Sequence, residues 1–127
     1  KVEQDIELAE KDIPEPLKII IYRILQEALN NAVKHSGATH VLVSLKKVQH
    51  KIQLTIKDNG KGFDVEQVAM GDDMAGLYGL GLISMRERAE LTGGALVIES
   101  QLGTGTAIIA SWHGESPYLE TSPFSMA

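Results

Sequence analysis

Two neighbouring segments with alternating apolar and polar residues constrain the fold of this chain more than any other feature. They are "HVLVSLKKV" (residues 40–48) and "KIQLTIKD" (residues 51–58), and this period of two is the pattern of half-buried β-strands. Only Gln49 and His50 separate the two segments, and so short a connection predicts an antiparallel hairpin. The apolar face of such a hairpin has to be covered by another layer of structure.

The other periodic segments supply that layer and extend the sheet. Amphipathic helices are predicted from about Leu17 to His35 and from about Gly81 to Thr92. Further strands are predicted at "VEQDIEL" (residues 2–8), "ALVIESQ" and "GTAIIASWH", of which the last two flank the turn "LGTG". The sequence therefore predicts an α/β (α+β) fold, a two-layer α/β sandwich. Its mixed, mostly antiparallel sheet of about five strands is covered on one face by helices. A doubly wound parallel sheet is disfavoured because helices do not separate the strands one by one.

The length of 127 residues predicts a single domain, which we place at residues 1–113. Residues 64–78 have weak periodicity and mixed charge, and are predicted to form a loop. The tail at residues 114–127 lacks periodicity and is predicted to be poorly ordered. The chain begins at Lys1 without a methionine, which is compatible with a fragment of a longer protein.

Composition excludes several classes of function. A net charge of −5 argues against a nucleic-acid-binding or anionic-membrane surface. The absence of cysteine removes disulfides, thiolate zinc sites and cysteine catalysis. No apolar run approaches the roughly 20 residues of a membrane span.

The first predicted helix carries a polar stripe within "ILQEALNNAVKHSGA". At 100° per residue, the stripe lies opposite an apolar arc and consists of Glu27, Asn30, Asn31, Lys34 and His35. Ile20 and Ile24 continue the same side one turn earlier, so the face is predicted to be a pocket wall, although a solvated helix face gives the same pattern. A carboxylate and a carboxamide four residues apart present oxygens to one point, which suits Mg²⁺ with open coordination positions. Lys34 can meet a phosphate as a point charge.

Three glycine-containing motifs follow the stripe. In "IKDNGKGFD", Asp58 ends a strand and can accept a hydrogen bond from an exocyclic amine, while Gly60 and Gly62 permit close backbone approach to a ligand. An ordinary turn uses the same residue types. In "YGLGLISMRERAE", glycines precede a helix whose backbone N–H groups can bind phosphate, but the motif is neither a Walker loop nor a dinucleotide fingerprint. In "GTGTAI", Thr106 begins a strand and can place a hydroxyl in a site.

Taken in this order, four stretches carry a resemblance to a known superfamily. "EALNNAVKH", "DNGKGF", "GLGL" and "GTGT" resemble the N, G1, G2 and G3 boxes of the GHKL ATPases, which include gyrase, Hsp90, histidine kinases and MutL. "YRILQEALNNAVKHS" and "GLISMRERAELTGG" are similar to the catalytic domain of sensor histidine kinases of the nitrate-sensor/DegS/DesK type. The resemblance covers about residues 1–113 and implies the Bergerat ATP-binding fold.

The resemblance also implies roles for the residues of the stripe. Asn31 matches the Mg²⁺ ligand, and Lys34 and His35 match positions that contact the phosphates and the nucleoside. Glu27 matches the catalytic carboxylate of gyrase-type members. Here Glu27 is expected either to orient or deprotonate a reactant or to support the water shell of the metal.

Asp58 matches the aspartate that binds adenine, Gly60 and Gly62 shape its pocket, and Thr106 lies near the same contact. The implied phosphate-binding residues of the G2 box are Gly79, Leu80, Gly81 and Leu82. The loop 64–78 corresponds to an ATP lid that lacks a phenylalanine box.

The resemblance implies ATP and Mg²⁺ as cofactors and a two-component sensor histidine kinase as the parent protein. The partners implied are a histidine-bearing dimerisation domain absent from this sequence, a response regulator and, for the parent, a second identical chain. We expect a cytoplasmic domain without nucleic-acid partners or direct membrane contact. It is not expected to phosphorylate itself, because the chain's own histidines are poor acceptors: His35, His40, His50 and His113. An anti-sigma-factor-type serine kinase and a non-catalytic nucleotide-binding module are the alternatives.

Overall fold

The computed structural model describes residues 1–63 and 81–113. The strands in this part of the chain are β1 (Val2–Ile6), β2 (Val41–Val48), β3 (Lys51–Asp58), β4 (Gly94–Gln101) and β5 (Gly105–His113). The α-helices are α1 (Glu15–Asn30) and α2 (Leu82–Leu91). A 3₁₀ turn at Glu10–Asp12 precedes α1, and a π turn at Asn31–His35 follows it.

The five strands form one sheet in the order β1-β2-β3-β5-β4. β1 runs parallel to β2, and the other neighbouring pairs are antiparallel, which confirms the mixed, mostly antiparallel sheet. The predicted β2–β3 hairpin is present with its two-residue turn. Gln49 and His50 both have positive φ, at 50° and 68°, as a tight hairpin turn that follows the strand twist requires.

β1, in the segment predicted to be a strand, lies at the edge of the sheet. Its side chains are exposed on both faces, and it is held to β2 by ion pairs as well as by backbone hydrogen bonds. The Lys46 ammonium on β2 lies 2.9 Å from the Asp5 carboxylate and 3.3 Å from the Glu7 carboxylate. Its hydrogen bond to Asp5, followed in size of effect by its hydrogen bond to Glu7, raises the pKa of Lys46 above its ordinary value.

Both α-helices pack on one face of the sheet, which confirms the two-layer sandwich. Alternate residues of the central strands are buried against these helices, so the core is a single layer between the helices and the sheet. The buried apolar side chains of the helices are Leu17, Ile21, Ile24 and Ala28 of α1 and Leu82, Met85 and Ala89 of α2. Those of the strands are Val41, Val43, Leu45, Ile52, Leu54, Ile56, Leu96, Ile108, Ala110 and Trp112.

The predicted first helix is not regular to its end. The α-helical bonding stops at Asn30, and the Ser36 N–H donates to the Asn31 carbonyl at 3.0 Å, an i→i+5 bond. The assumption of 100° per residue therefore fails from Asn31 onward. The prediction that Ile24 lies on a pocket wall is also wrong, since Ile24 is fully buried in the core. Apolar residues cover most of the circumference of α1, and the sequence pattern alone did not indicate which half would face the sheet.

The second helix is anchored through Trp112. The Trp112 indole N–H donates to the Thr92 hydroxyl at 2.8 Å. This hydroxyl has one hydrogen to donate and lies 2.9 and 3.0 Å from the carbonyl oxygens of Arg88 and Ala89. Gly94 lies against the indole, where a Cβ would come within 2.5 Å of the ring. By contrast, Leu91 on the same helix is 70% exposed, so it does not belong to the apolar face.

Several predictions fall outside the described residues: the loop at 64–78, Gly79 and Leu80 of the phosphate motif, and the tail at 114–127. Among the described residues, no helix has both the length and the apolarity needed to cross a membrane.

We predict that Trp112→Phe lowers the free energy of unfolding by roughly 2 kcal/mol, because it removes a buried hydrogen bond and leaves unfilled volume beside Gly94. Urea unfolding monitored by circular dichroism measures the change. Val97→Ala is the control, since Val97 is 51% exposed on β4 and should change stability by less than about 0.5 kcal/mol. Equal effects of the two substitutions would contradict the anchoring role of Trp112.

Candidate functional site

The polar stripe of the first helix divides into two groups in the folded chain. Glu27 and Asn31 are half-buried at the boundary between the helix and the core. Asn30, Lys34 and His35 are exposed. The regular part of α1 points Glu27 inward beside the buried Ala28, whereas the π turn rotates the last residues away from the direction that a regular helix would give them.

Asp58 lies at the end of β3, in the position that the sequence pattern predicted. Its Oδ1 accepts a hydrogen bond from the Gly60 N–H at 2.8 Å, which closes an Asx turn and fixes the plane of the carboxylate. The Lys61 N–H donates to the Ser36 carbonyl at 3.0 Å. The loop after β3 is thereby bound to the residue that ends the π turn of the first helix.

Gly60 makes this approach possible. A Cβ at Gly60 would lie 2.5 Å from the Ser36 Cβ and 2.7 Å from the Ser36 carbonyl oxygen. Any side chain would push the two backbones apart. Asn59 reinforces the same junction, because its side-chain oxygen accepts from the N–H groups of Thr39 and His40 at 3.0 and 2.9 Å.

The other end of this loop is bound to the turn between β4 and β5. Gly62 has φ +66° and packs against the Gln101 carbonyl, leaving no room for a Cβ. The Gly103 N–H donates to the Lys61 carbonyl at 2.7 Å. Gly105 packs just as closely against the carbonyl of Asp58. Two glycine motifs far apart in sequence thus share one backbone junction.

Thr106 follows directly from that junction. It pairs with Asp58 in the β3–β5 register and is 9% exposed. Its hydroxyl lies 2.7 Å from the Ser100 hydroxyl. The Ser100 hydroxyl also accepts from the Phe63 N–H at 2.9 Å. Sequence reasoning missed Ser100, Ser36 and Phe63, whose residue types carry no distinctive chemical signal at their positions.

These elements surround a narrow cavity between the helices and the sheet. Its polar lining comes from the π turn and the Ser36 that ends it, from β3 and from β5, and its remaining walls are apolar. The lining residues are Ala28, Asn31, Ser36, Ile56, Asp58, Phe63, Leu82, Thr106 and Ile108. A shallower groove lies on the open face of the sheet, around Thr55, Lys57 and Ile109, but the stripe and the start of α2 do not reach that groove.

Glu27 contacts the start of α2. Gly81 is the N-cap of this helix with φ +69°, and a Cβ there would overlap the Glu27 carboxylate. A carboxylate at this position interacts favourably with the partial positive charge of the helix N-terminus. Glu27 also borders a separate cleft that Arg23 and Arg88 line.

Comparison with known proteins decides the family. Residues 17–115 match the sequence model of the family described as "Histidine kinase-, DNA gyrase B-, and HSP90-like ATPase". The chain belongs to this family of ATPases. The family that the four sequence motifs predicted is thereby confirmed.

Individual relatives refine this placement. The chain is 41% identical over 98 residues to the signal transduction histidine-protein kinase/phosphatase DegS of Brevibacillus brevis, covering 77% of this chain and 24% of DegS. It is 41% identical over 92 residues to the oxygen sensor histidine kinase NreB of Staphylococcus carnosus (strain TM300), covering 72% of this chain and 25% of NreB. The chain thus spans about a quarter of the length of these relatives.

Solved structures share the fold. The histidine kinase domain from the Erythrobacter litoralis EL346 blue-light activated histidine kinase superposes with a TM-score of 0.73 at 19% identity, covering 94% of this chain and 54% of that chain. The Acinetobacter baumannii histidine kinase AdeS gives a TM-score of 0.65 at 20% identity, covering 91% of this chain and 54% of that chain.

The structure brings most of the predicted site residues together. Asn31, Asp58, Leu82 and Thr106 line the cavity, and Gly60 and Gly62 hold the loop beside it. Gly81 and Glu27 contact each other at the start of α2. Lys34 and His35 are exposed outside the cavity lining, so their contacts with phosphate and nucleoside stay predictions.

We predict that Gly60→Ala destabilises the loop after β3 by about 1–3 kcal/mol, because the added methyl group overlaps Ser36. Amide hydrogen exchange should show loss of protection at Lys61, whose N–H bonds to the Ser36 carbonyl. Gly37→Ala is the control for backbone strain, which Gly60→Ala does not introduce because Gly60 lacks a positive φ. Gly37 has φ +62°, but a methyl group there would have no neighbour within 4 Å, so this variant tests backbone strain without overlap. Unchanged protection at Lys61 in Gly60→Ala would contradict the packing argument.

Proposed function

We propose that this domain binds ATP in the cavity between α1, β3, β5 and α2 and is the catalytic domain of a two-component sensor histidine kinase. The observation that carries the proposal is the convergence of Asn31, Asp58 and Thr106 on one cavity in a member of this ATPase family. The named histidine kinases among its relatives favour this function over an anti-sigma-factor-type serine kinase of the same fold.

Asp58 is the proposed adenine-binding residue. Its Oδ1 is engaged by the Gly60 N–H, and this bond directs Oδ2 as an acceptor for the exocyclic amine of adenine. Guanine carries a carbonyl oxygen at the corresponding position, and two acceptors facing each other repel. Ile56, Phe63 and Ile108 are apolar residues of the lining that can contact the faces of a purine ring once the cavity, about 20 Å³ in this structure, widens around it.

Mg²⁺ is the proposed metal, held by the Asn31 carboxamide oxygen together with nucleotide phosphate oxygens and water. Among residues 1–63 and 81–113, no three acidic, histidine or cysteine side chains cluster to form a metal site. A metal in this cavity would therefore take most of its ligands from the nucleotide, as Mg²⁺ commonly does. When bound, the metal neutralises charge on the phosphates.

Glu27 and Lys34 complete the proposed catalytic group. Glu27 contacts Gly81 at the start of α2. Gly81 and Leu82 are proposed phosphate-binding residues, as are Gly79 and Leu80 of the same sequence motif. Lys34 and His35 are exposed in this structure. We propose that they contact the phosphates and the nucleoside of the bound nucleotide. The proposed residues contribute mostly by positioning and by charge stabilisation.

The proposed reaction transfers the γ-phosphoryl group of ATP to a histidine on a dimerisation domain outside this sequence. The lone pair of a neutral imidazole nitrogen forms the phosphorus–nitrogen bond as the bond to the β-phosphate oxygen breaks. ADP leaves with that electron pair, and the imidazole releases its N–H proton to water. The phosphoryl group then passes to an aspartate of a response regulator. The proposed parent is a homodimer whose ATP-binding domain, at residues 1–113, faces the cytoplasm.

We predict that Asp58→Ala weakens binding of a non-hydrolysable ATP analogue by about 10- to 100-fold, because a hydrogen bond to a charged acceptor is lost. Isothermal titration calorimetry measures the change, with circular dichroism to check the fold. Glu90→Ala, on the exposed face of α2, is the control for removal of one carboxylate. An ATP affinity that stays at the parent value would exclude Asp58 as the adenine-binding residue.

We predict that Asn31→Ala weakens binding of the Mg²⁺-bound analogue by at least about tenfold and binding of the metal-free analogue far less. Titrations with and without Mg²⁺ separate the two effects. Asn30→Ala tests the exposed neighbour of the same residue type and should change neither. Equal losses with and without the metal would show that Asn31 is not a ligand. Metal-independent binding by the parent chain would favour a non-catalytic nucleotide-binding module.

A further inference from the structure

The Ser100 hydroxyl joins three parts of the cavity wall. It accepts a hydrogen bond from the Phe63 N–H at 2.9 Å, lies 3.2 Å from the Gly105 carbonyl oxygen, and lies 2.7 Å from the Thr106 hydroxyl. Ser100 is half-buried near the end of β4 and pairs with Thr106 in the β4–β5 register. Among the described residues that line the cavity, Phe63 and Thr106 are present and Ser100 is not.

The valence of a hydroxyl group limits how these three contacts coexist. A serine hydroxyl has one hydrogen to donate and two lone pairs to accept with. The Phe63 N–H can only donate, so it takes one lone pair. The Gly105 carbonyl can only accept, so it can use only the hydrogen of Ser100. The Thr106 hydroxyl can either donate to the remaining lone pair or accept the hydrogen itself.

The direction of the Ser100–Thr106 hydrogen bond determines where the Thr106 hydroxyl hydrogen points. If Ser100 donates to the Gly105 carbonyl, Thr106 donates to Ser100 and presents only lone pairs to the cavity. If Ser100 donates to Thr106, the Thr106 hydrogen is directed to another acceptor, such as the Asp58 carboxylate or a ligand. In both cases the Ser100 contact determines whether Thr106 acts as a donor or an acceptor in the cavity.

The bond to Phe63 has a separate consequence. Phe63 is the last described residue of the loop after β3, and its side chain lines the cavity. The Ser100 hydroxyl holds the Phe63 backbone to β4, in addition to the bond between Gly103 and Lys61. One side chain outside the cavity therefore holds both an apolar wall and a polar wall of it.

We infer that Ser100 is a positioning residue of the nucleotide site. It acts through Thr106 and Phe63 and does not touch the nucleotide. This inference rests on the proposed ATP-binding function, because the cavity that Ser100 supports is the proposed adenine pocket.

The test compares ATP-analogue binding by the full chain with that of Ser100→Ala and Ser100→Thr. Ser100→Ala should weaken binding by about tenfold, the loss expected for one or two hydrogen bonds. Ser100→Thr retains the hydroxyl and should restore most of the affinity. Ser111→Ala is the matched control, since Ser111 is a half-buried serine on the neighbouring strand β5, with its side chain on the other face of the sheet. It should bind as the parent does.

Two further measurements distinguish positioning from general stabilisation. In a Thr106→Val background, Ser100→Ala should cause a smaller loss of affinity than it causes in the unsubstituted chain, because the effects of substitutions within one hydrogen-bond network are not additive. In the ligand-free chain, hydrogen exchange at the Phe63 amide should accelerate in Ser100→Ala and not in Ser100→Thr. Ser100→Cys, which keeps the volume with a weak hydrogen-bonding group, replaces Ser100→Ala if the latter does not fold.

The outcomes separate the inference from the proposed function. Parent-like affinity of Ser100→Ala, with or without a loss of thermal stability, would overturn the positioning role and leave ATP binding intact. An equal loss of affinity in the unsubstituted chain and in the Thr106→Val variant would also contradict an effect of Ser100 that acts through Thr106. Absence of nucleotide binding by the parent chain would contradict the proposed function itself and the inference with it.

Discussion

Three stretches of backbone meet at the glycine loop after β3, closer together than any side chain would allow. At Gly60 the loop touches the end of the first helix, and at Gly62 it touches the β4–β5 turn. Hydrogen bonds from Lys61 and Gly103 seal the two contacts. Because interiors are close-packed, a shift at either junction would move Asp58 relative to Asn31 and Thr106. The geometry of the cavity therefore depends on this junction.

The π turn at Asn31–His35 is the second constraint on the site. It lets the end of α1 meet the glycine loop through Ser36 while Asn31 stays at the cavity. The same turn leaves Lys34 and His35 at the surface. Such single π turns are frequent at functional sites, and here one places an amide group inside and basic groups outside within five residues.

The elements of the fold followed from local patterns to a large extent. Period-two alternation with a two-residue separation predicted the hairpin, and the structure has it at Val41–Val48 and Lys51–Asp58. The pattern also predicted a strand near the N-terminus, but only the tertiary structure shows that β1 pairs in parallel with β2. Strand pairing depends on the path of the connection, which here runs through α1. Helical spacing predicted α1 but assigned Ile24 to the wrong face, since an apolar residue is equally suited to a core and to a pocket wall.

By itself the sequence determined the order of elements, the two-layer architecture and the identity of Glu27, Asn31, Asp58 and Thr106 as site candidates. It could do so because strand and helix periods, glycine turns and polar residues in unusual places are local signals. Only the tertiary structure decided that Glu27 contacts Gly81, that Lys34 and His35 lie outside the cavity, and that Ser100 holds Thr106 and Phe63. These contacts join residues 6 to 54 positions apart in the chain. They depend on register and packing across the whole sheet, which no local pattern specifies.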